Sequence, residues 1–291
     1  MAKTAFQPLT DFETNTYSQY GEDGVVTELL RRIASATSLD KWCVEFGAWD
    51  GLHLSNTARL LREDGYAAVL IEGNPKKYKE LCVNFPDPKV VKKCEFFDFE
   101  GPKSLENILL ATEIPREFDF LSIDIDGNDF HILKSLTQIR PKIICIEFNA
   151  AIPNEVEFVQ TANFRVNVGS SGRSIITLGQ QKGYNFAHAT KGNVFLVRDD
   201  LIDAAIGATR PTLDELIDDT ETRNFIFVGM DGSIHTSQPV WMPWHKLRVT
   251  ERGIQALPRF LIRFRSDYNP LQKIAFFAFR AFSNKVKKEK R

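Results

Sequence analysis

Three aspartates fall within six positions in the stretch FDFLSIDIDGNDF (118–130), where Asp124, Asp126 and Asp129 follow directly on a run of strand-forming apolar residues. Side chains at i and i+2 of a strand share a face, so an extended backbone would set the carboxylates of Asp124 and Asp126 side by side. About 5 Å apart at an effective dielectric near 20, they would repel by roughly 3 kcal/mol. A shared proton, a nearby cation or a splaying of the pair at Gly127 would each relieve that repulsion. A later stretch, KIICIEFN, ends with Glu147 and Asn149 at the same spacing. If the two strands are neighbours, about 4.8 Å apart, three carboxylates and an amide oxygen converge without a His or Cys among them. Oxygen ligands suit a hard divalent ion such as Mg²⁺, Mn²⁺ or Ca²⁺ rather than zinc. Such an ion would bind an acceptor hydroxyl, lower its pKa and align it for attack. The expected metal ligands are therefore Asp124, Asp126, Glu147 and Asn149, with Mg or Mn as the ion. Without a metal, Asp124 or Asp126 is the expected general base. Asn128 or Asp129 is expected to cap the following helix, and His131 to lie on its surface.

A second acidic stretch, WCVEFGAWDGLHLSNT (42–57), carries Glu45 and Asp50 around two glycines, Gly47 and Gly51, and residues 42–58 contain no Lys or Arg. Glycines there permit a tight turn after a strand. Glu72 closes the next apolar run 25 positions after Gly47, a separation suited to an acid that accepts from the two hydroxyls of a ribose. A pyrophosphate would want backbone N–H groups and cations, and this loop offers carboxylates. S-adenosylmethionine has a ribose, an ammonium, a sulfonium and no phosphate, so it is the expected cofactor.

These residues need a sheet to hold them. Residues 21–36 have apolar positions every three to four residues and read as an amphipathic helix. Five apolar runs follow, WCVEF (42–46), AAVLIE (67–72), KVVKKCEFF (89–97), FDFLSID (118–124) and KIICIEF (142–148), separated by four helical segments. That alternation predicts an α/β fold with a parallel sheet covered by helices on both faces. A helix near 174–183 then precedes YNFAHAT and GNVFLVR, which read as an antiparallel hairpin closing the sheet edge. Residues 150–173 interrupt the pattern at the carboxyl end of the fifth strand and are a lid candidate. Beyond residue 200 the pattern dissolves. The expected organisation is an N-terminal cap segment (1–39), a Rossmann-like domain (40–200) and a C-terminal extension (201–291).

Five ordered motifs, SQYGEDG (18–24), VEFGAWDGLHLSNT (44–57), LIEGNP (70–75), DFLSIDIDGND (119–129) and IEFN (146–149), together resemble the FkbM-like S-adenosylmethionine-dependent methyltransferases. Many members of that family act on hydroxyls of sugars or natural products. The resemblance spans about residues 17–200 and implies a seven-stranded class I methyltransferase sheet with Gly47, Asp50, Gly51 and Glu72 on the cofactor. Glu45, Asn56 and Asp124 join that candidate set. Asp98, after the third strand, is a candidate for the adenine edge, and Gln19 with Glu22 for a segment folding over the cofactor. For Glu22 the alternative is an acid placed at a helix N-terminus for its dipole. Commoner family members have a single acid-glycine-acid turn after the fourth strand, where this chain reads DIDGND.

The net charge of −1 gives no reason to expect a nucleic-acid partner. From Gln255 to Arg291, however, ten Lys or Arg stand against two acids, so this tail carries +8 and the remainder −9. Its residues 271–282 are mostly apolar, too few to span a bilayer and enough to lie in its interface; packing on the domain or on a second subunit is the equal contender. Trp241 and Trp244 are expected in a small satellite core, with stacking on a sugar the alternative. His188 and His235 are lone histidines that could touch the acceptor. The four cysteines lie in apolar segments without a pairing pattern and read as buried thiols in a reducing compartment. With no signal-like or spanning segment, a cytoplasmic place is expected, peripheral at the inner face of the membrane if the tail binds there.

The sequence thus points to an O-methyltransferase acting on a small-molecule or glycan hydroxyl, monomeric or as a homo-oligomer. Two rivals stand beside it. One is a metal-dependent glycosyltransferase holding a sugar nucleotide through the Asp-x-Asp at 124–126. The other is a non-catalytic, membrane-associated scaffold with a methyltransferase fold.

Overall fold

The computed structural model describes residues 6–289 other than residue 97, with side chains through residue 282. Two compact units divide the chain, the first ending at Asp219 and the second beginning at Thr220.

The first unit alternates helices and strands: α1 (Glu22–Ile33), β1 (Trp42–Phe46), α2 (Ala58–Arg62), β2 (Ala67–Ile71), α3 (Pro75–Asn84), β3 (Val90–Lys93), α4 (Leu105–Leu110), β4 (Phe120–Ile123), α5 (Asp129–Ser135), β5 (Ile143–Glu147), α6 (Gly172–Gln181), β6 (Tyr184–Ala189), β7 (Asn193–Arg198), α7 (Ile202–Ile206) and α8 (Leu213–Leu216). Local chemistry starts several helices. Asn74 caps α3 with Pro75 in its first turn, while Ser104 and Ser171 accept from Asn107 N–H and Ser174 N–H at the heads of α4 and α6.

The strands form one seven-stranded sheet in the order β3-β2-β1-β4-β5-β7-β6, parallel except for β7, which runs against both neighbours. This is the Rossmann-like class I methyltransferase sheet. Strand side chains alternate between two cores: Cys43, Ala68, Leu70 and Cys145 pack on one face with α1 and α7, and Val44, Val69, Ile71 and Ile144 on the other with α4, α5 and α6. Strand order reverses between β1 and β4, so the crevice at their carboxyl ends is where such a sheet takes a ligand. Two elements differ from the sequence reading. The third strand stops at Lys93, and residue 97 of the expected run lies outside the described residues. Among the cysteines only Cys43 and Cys145 are buried; Cys82 is half-buried and Cys94 exposed.

In the second unit, two hairpins replace the expected irregular extension: β8 (Ile226–Val228) with β9 (Ile234–Thr236), and β10 (Val240–Met242) with β11 (Leu247–Val249). Strands of three residues are too short to display a period. Helices α9 (Glu251–Ile254) and α10 (Pro270–Glu289) follow. Trp241 is half-buried with Arg248 5.3 Å over its ring, but Trp244 is 70% exposed and belongs to no core. No described helix is long and apolar enough to cross a membrane.

Candidate active site

At the end of β4 the Asp124 N–H still donates to Phe46 O (3.0 Å), after which the chain turns with Asp126 at φ +57° and Gly127 at φ +132°. The extended backbone expected to set Asp124 and Asp126 side by side therefore does not persist, while the Asp126 charge still acts on Asp124. Asp129 drives the turn: its carboxylate accepts from Ile125 N–H (3.0 Å) and Gly127 N–H (2.9 Å). Asn128 occupies the cap position of α5 without a side-chain capping bond and instead exchanges hydrogen bonds with the backbone of Asn163. Strands β4 and β5 are adjacent in the register Ile123 with Ile146, so Asp124 and Glu147 follow as neighbours. The two carboxyls share a hydrogen bond, and burial among neighbouring acids favours the proton on Glu147. Burial, then the charges of Asp124, Asp129 and Asp126, raise Glu147 to about 10. Burial and the Asp126 charge raise Asp124 to about 6 against the opposing bond from Glu147, and burial raises Asp129 to about 7.

The metal ligand set read from the sequence does not assemble. Asn149 Oδ1 accepts from Ala151 N–H (2.8 Å) and its Nδ2 donates to Val168 O (2.6 Å), so the amide is committed to the loop. Asp126 sits on a left-handed backbone within the turn. Among the described residues no group of three or more His, Cys, Asp or Glu side chains is arranged to hold a metal ion.

The first loop leaves β1 with Gly47 and Ala48 N–H both donating to Ile71 O (3.1 and 3.0 Å). Gly47 has φ +93°, and a Cβ there would lie 1.7 Å from Asp124 O, so the glycine is demanded by the neighbouring turn. Glu72 spans two turns, accepting from Trp49 N–H (2.7 Å) and Asn74 N–H (2.6 Å). Asp50 Oδ1 accepts from Leu52 and His53 N–H (2.9 and 2.8 Å). Burial acts to raise Asp50, but these two bonds hold it below the ordinary carboxylate range. Gly51 packs where a Cβ would meet Leu81 Cδ1 at 2.5 Å.

Two candidates from this loop take other roles. Glu45 is buried and accepts from Ser55 Oγ (2.6 Å), Asn56 N–H (2.7 Å) and Thr57 Oγ1 (2.7 Å), tying the start of α2 to β1 instead of facing a ligand. Burial raises it to about 7 against those three donors. Asn56 is likewise buried, and its Nδ2 donates to Ser122 Oγ (3.0 Å) beneath the sheet edge.

The N-terminal segment is held by acids at the head of α1. Glu22 Oε2 accepts from Gln19 and Tyr20 N–H, while its Oε1 accepts from Thr190 Oγ1 (2.5 Å) and Asn193 Nδ2 (3.2 Å) on the turn between β6 and β7. Asp23 Oδ2 gathers the N–H groups of Thr16, Tyr17 and Ser18. Glu22 thus stands at the start of the helix and fastens residues 19–20 to Thr190 and Asn193. The Gln19 side chain is exposed and donates to Tyr20 OH (3.1 Å). Asp98 is exposed beyond β3.

Residues 150–173 cover the β4 turn, since a Cβ on Gly127 would lie 3.0 Å from Gln160 Oε1 and 3.2 Å from Asn167 Cα. Buried Gln160 organises this loop, accepting from Val168 and Gly169 N–H (2.9 Å each) and donating to Val166 O (2.9 Å). His131 is not free on the surface; its Nε2 pairs with Gln160 O at 2.7 Å. His188 is buried with Nε2 3.0 Å from Glu13 Oε1, and His235 lies in the second unit. Sequence reasoning missed Gln160, Thr190 and Asn193. The partners of Glu22 lie 168 and 171 positions away, leaving no local signal.

The methyltransferase FkbM domain family matches residues 102–186, from the head of α4 into β6, and so includes the β4 turn, IEFN and the loop above them. Over these residues the chain is similar to the FkbM methyltransferase domain. The FkbM match covers less than half of the chain and begins after Gly47, Asp50 and Glu72. No curated protein matches. Similar solved structures include a SAM-dependent methyltransferase from Aquifex aeolicus, 12% identical over 66% of this chain and 97% of that one, TM-score 0.37. A methyltransferase from Geobacter sulfurreducens is 13% identical over 59% and 75%, TM-score 0.38. SAM-bound CalS10, an amino pentose methyltransferase from Micromonospora echinaspora, is 12% identical over 64% and 99%, TM-score 0.38. At such likeness the fold of the chain is defined by its own strand order.

Proposed function

We infer that the chain is an S-adenosylmethionine-dependent methyltransferase that methylates a hydroxyl of a saccharide or glycoconjugate, with Asp124 as the general base. The observation that carries this reading is the chemistry of the switch-point edge, where Asp50, Glu72, Asp124 and Glu147 gather around a loop without Lys or Arg. Such an edge rejects a diphosphate and suits a ligand whose polar groups are hydroxyls and an ammonium. The residues present fit that cofactor. Glu72 would hold the ribose hydroxyls with lone pairs left over from Trp49 and Asn74 N–H. Bound there, the cofactor supplies an electrophilic methyl group.

The chain's own contribution is to move a proton. Glu147 donates to Asp124 and stabilises its ionised form in a buried setting. The Asp124 carboxylate then accepts the proton of the acceptor hydroxyl as its oxygen attacks. No step passes through a metal ion, because the donor set does not fit one. The saccharide assignment rests on the family resemblance. The glycosyltransferase reading is disfavoured because it leaves unexplained an acidic first loop without Lys or Arg to hold a diphosphate.

Titration calorimetry with S-adenosylhomocysteine, a UDP-sugar and NAD tests the reading. Saturable binding is expected for S-adenosylhomocysteine alone; binding of the UDP-sugar alone would transfer the site to the glycosyltransferase class.

A further inference from the structure

We propose that residues 259–282 of the second unit form a surface that docks in the interface of an anionic lipid bilayer. Helix α10 begins at Pro270 and runs for 20 residues. One side packs on the segment before it: Gln272 Nε2 donates to Phe260 O (2.8 Å), and the rings of Tyr268 and Phe276 lie 5.7 Å apart. The other side carries Leu271, Ile274, Ala278 and Phe282 at steps of three and four, all exposed, with Leu271 at 77%, Ile274 at 67% and Phe282 at 71%. Phe277 flanks this stripe, and Phe260 and Phe264 in the preceding segment are exposed as well. A helix in a soluble domain turns such a stripe inward, and an exposed patch of this kind marks an interaction surface.

Charge selects the occupant. Arg259, Arg263, Arg265, Lys273 and Arg280 stand exposed among these apolar side chains, and Asp267 is the one acid between 259 and 282 in the sequence. Lys285, Lys287 and Lys288 continue the basic run. A second copy would bring the same positive charge to the same face, opposing self-association. Nucleic acid would answer the cations and the rings but leave Leu271 and Ile274 in water. An anionic bilayer offers negative headgroups with an apolar layer just beneath them, matching both halves of the surface. No described helix can cross a membrane, so the contact is interfacial.

Flotation of the full chain with vesicles of pure phosphatidylcholine, and of phosphatidylcholine mixed with phosphatidylglycerol, tests this. At least ~10-fold more protein is expected on the anionic vesicles, falling with added salt. The double variant Phe277→Glu with Phe282→Glu is expected to abolish capture while its circular dichroism and unfolding temperature stay unchanged, because both side chains are exposed. Equal or absent capture on the two vesicle types would overturn the proposal. So would a dimer in light scattering that the same variant dissolves without any vesicle binding, or retention of an RNA oligonucleotide by a chain that ignores vesicles.

Discussion

At the scale of single residues, the proposed base Asp124 lies hydrogen-bonded to Glu147 in a buried setting. Because Asp124 is raised to about 6 by burial and the Asp126 charge, kcat/KM is expected to rise with pH to a plateau, with a midpoint near that value. Asp124→Asn should cost ~100-fold to ~10,000-fold in kcat, the usual range for a general base. Glu147→Gln keeps a donor to Asp124 and should leave the midpoint in place. Glu147→Ala removes it and should shift the midpoint upward. A profile indifferent to both changes would deny the pair its role. The sequence showed that Asp124 and Glu147 meet here, because each follows directly on one of two adjacent apolar runs. It could not show that Asp126 enters a left-handed turn, which Asp129 closes from three positions later. Glu45 was visible as an acid in the loop; its task became clear only when Ser55, Asn56 and Thr57 were seen to fold back on it.

Among the elements, the seven strands were legible because each is an apolar run bounded by polar turns, and the reversed hairpin because Lys191-Gly192 separates two such runs. The three-residue strands of the second unit were not, since so short a run has no period to detect. Nor was the order of the loop over the β4 turn, which is fixed by one buried glutamine. The tightest junction joins the turn after β1 to the turn after β4. Gly47→Ala should destabilise the fold by about 3 kcal/mol or more, combining left-handed strain with a Cβ 1.7 Å from Asp124 O. Gly65→Ala is the control, at φ +72° with nothing within 4 Å, and should show only the smaller backbone cost. Equal losses in chemical denaturation would mean that the junction yields.

For the whole molecule, the concentration of buried acids sets a pH dependence of stability. Glu147 is raised to about 10 and Glu45 to about 7 from 4.5, and Asp129 to about 7 from 3.8. A carboxyl raised on folding binds its proton more tightly in the native state. The stabilisation it contributes is complete below the unfolded value and is lost as pH climbs through the folded one. The ligand-free chain is therefore expected to lose stability steadily from about pH 5 to about pH 9, Glu45 alone accounting for a loss on the order of 3 kcal/mol. Thermal melts across that range check this, with Glu147→Gln giving a flatter slope; a melting temperature that rises over the same interval would contradict it. One junction also shapes how such a protein can diversify. With the carbonyl of Asp124 resting on Gly47 and no side chain between them, the turns that carry the proposed cofactor loop and the proposed base share a single frame that tolerates little rebuilding. Residues 150–173 are held by side-chain stitches instead, so on the proposed reading a mutant library confined to that loop is where new acceptors would be recruited.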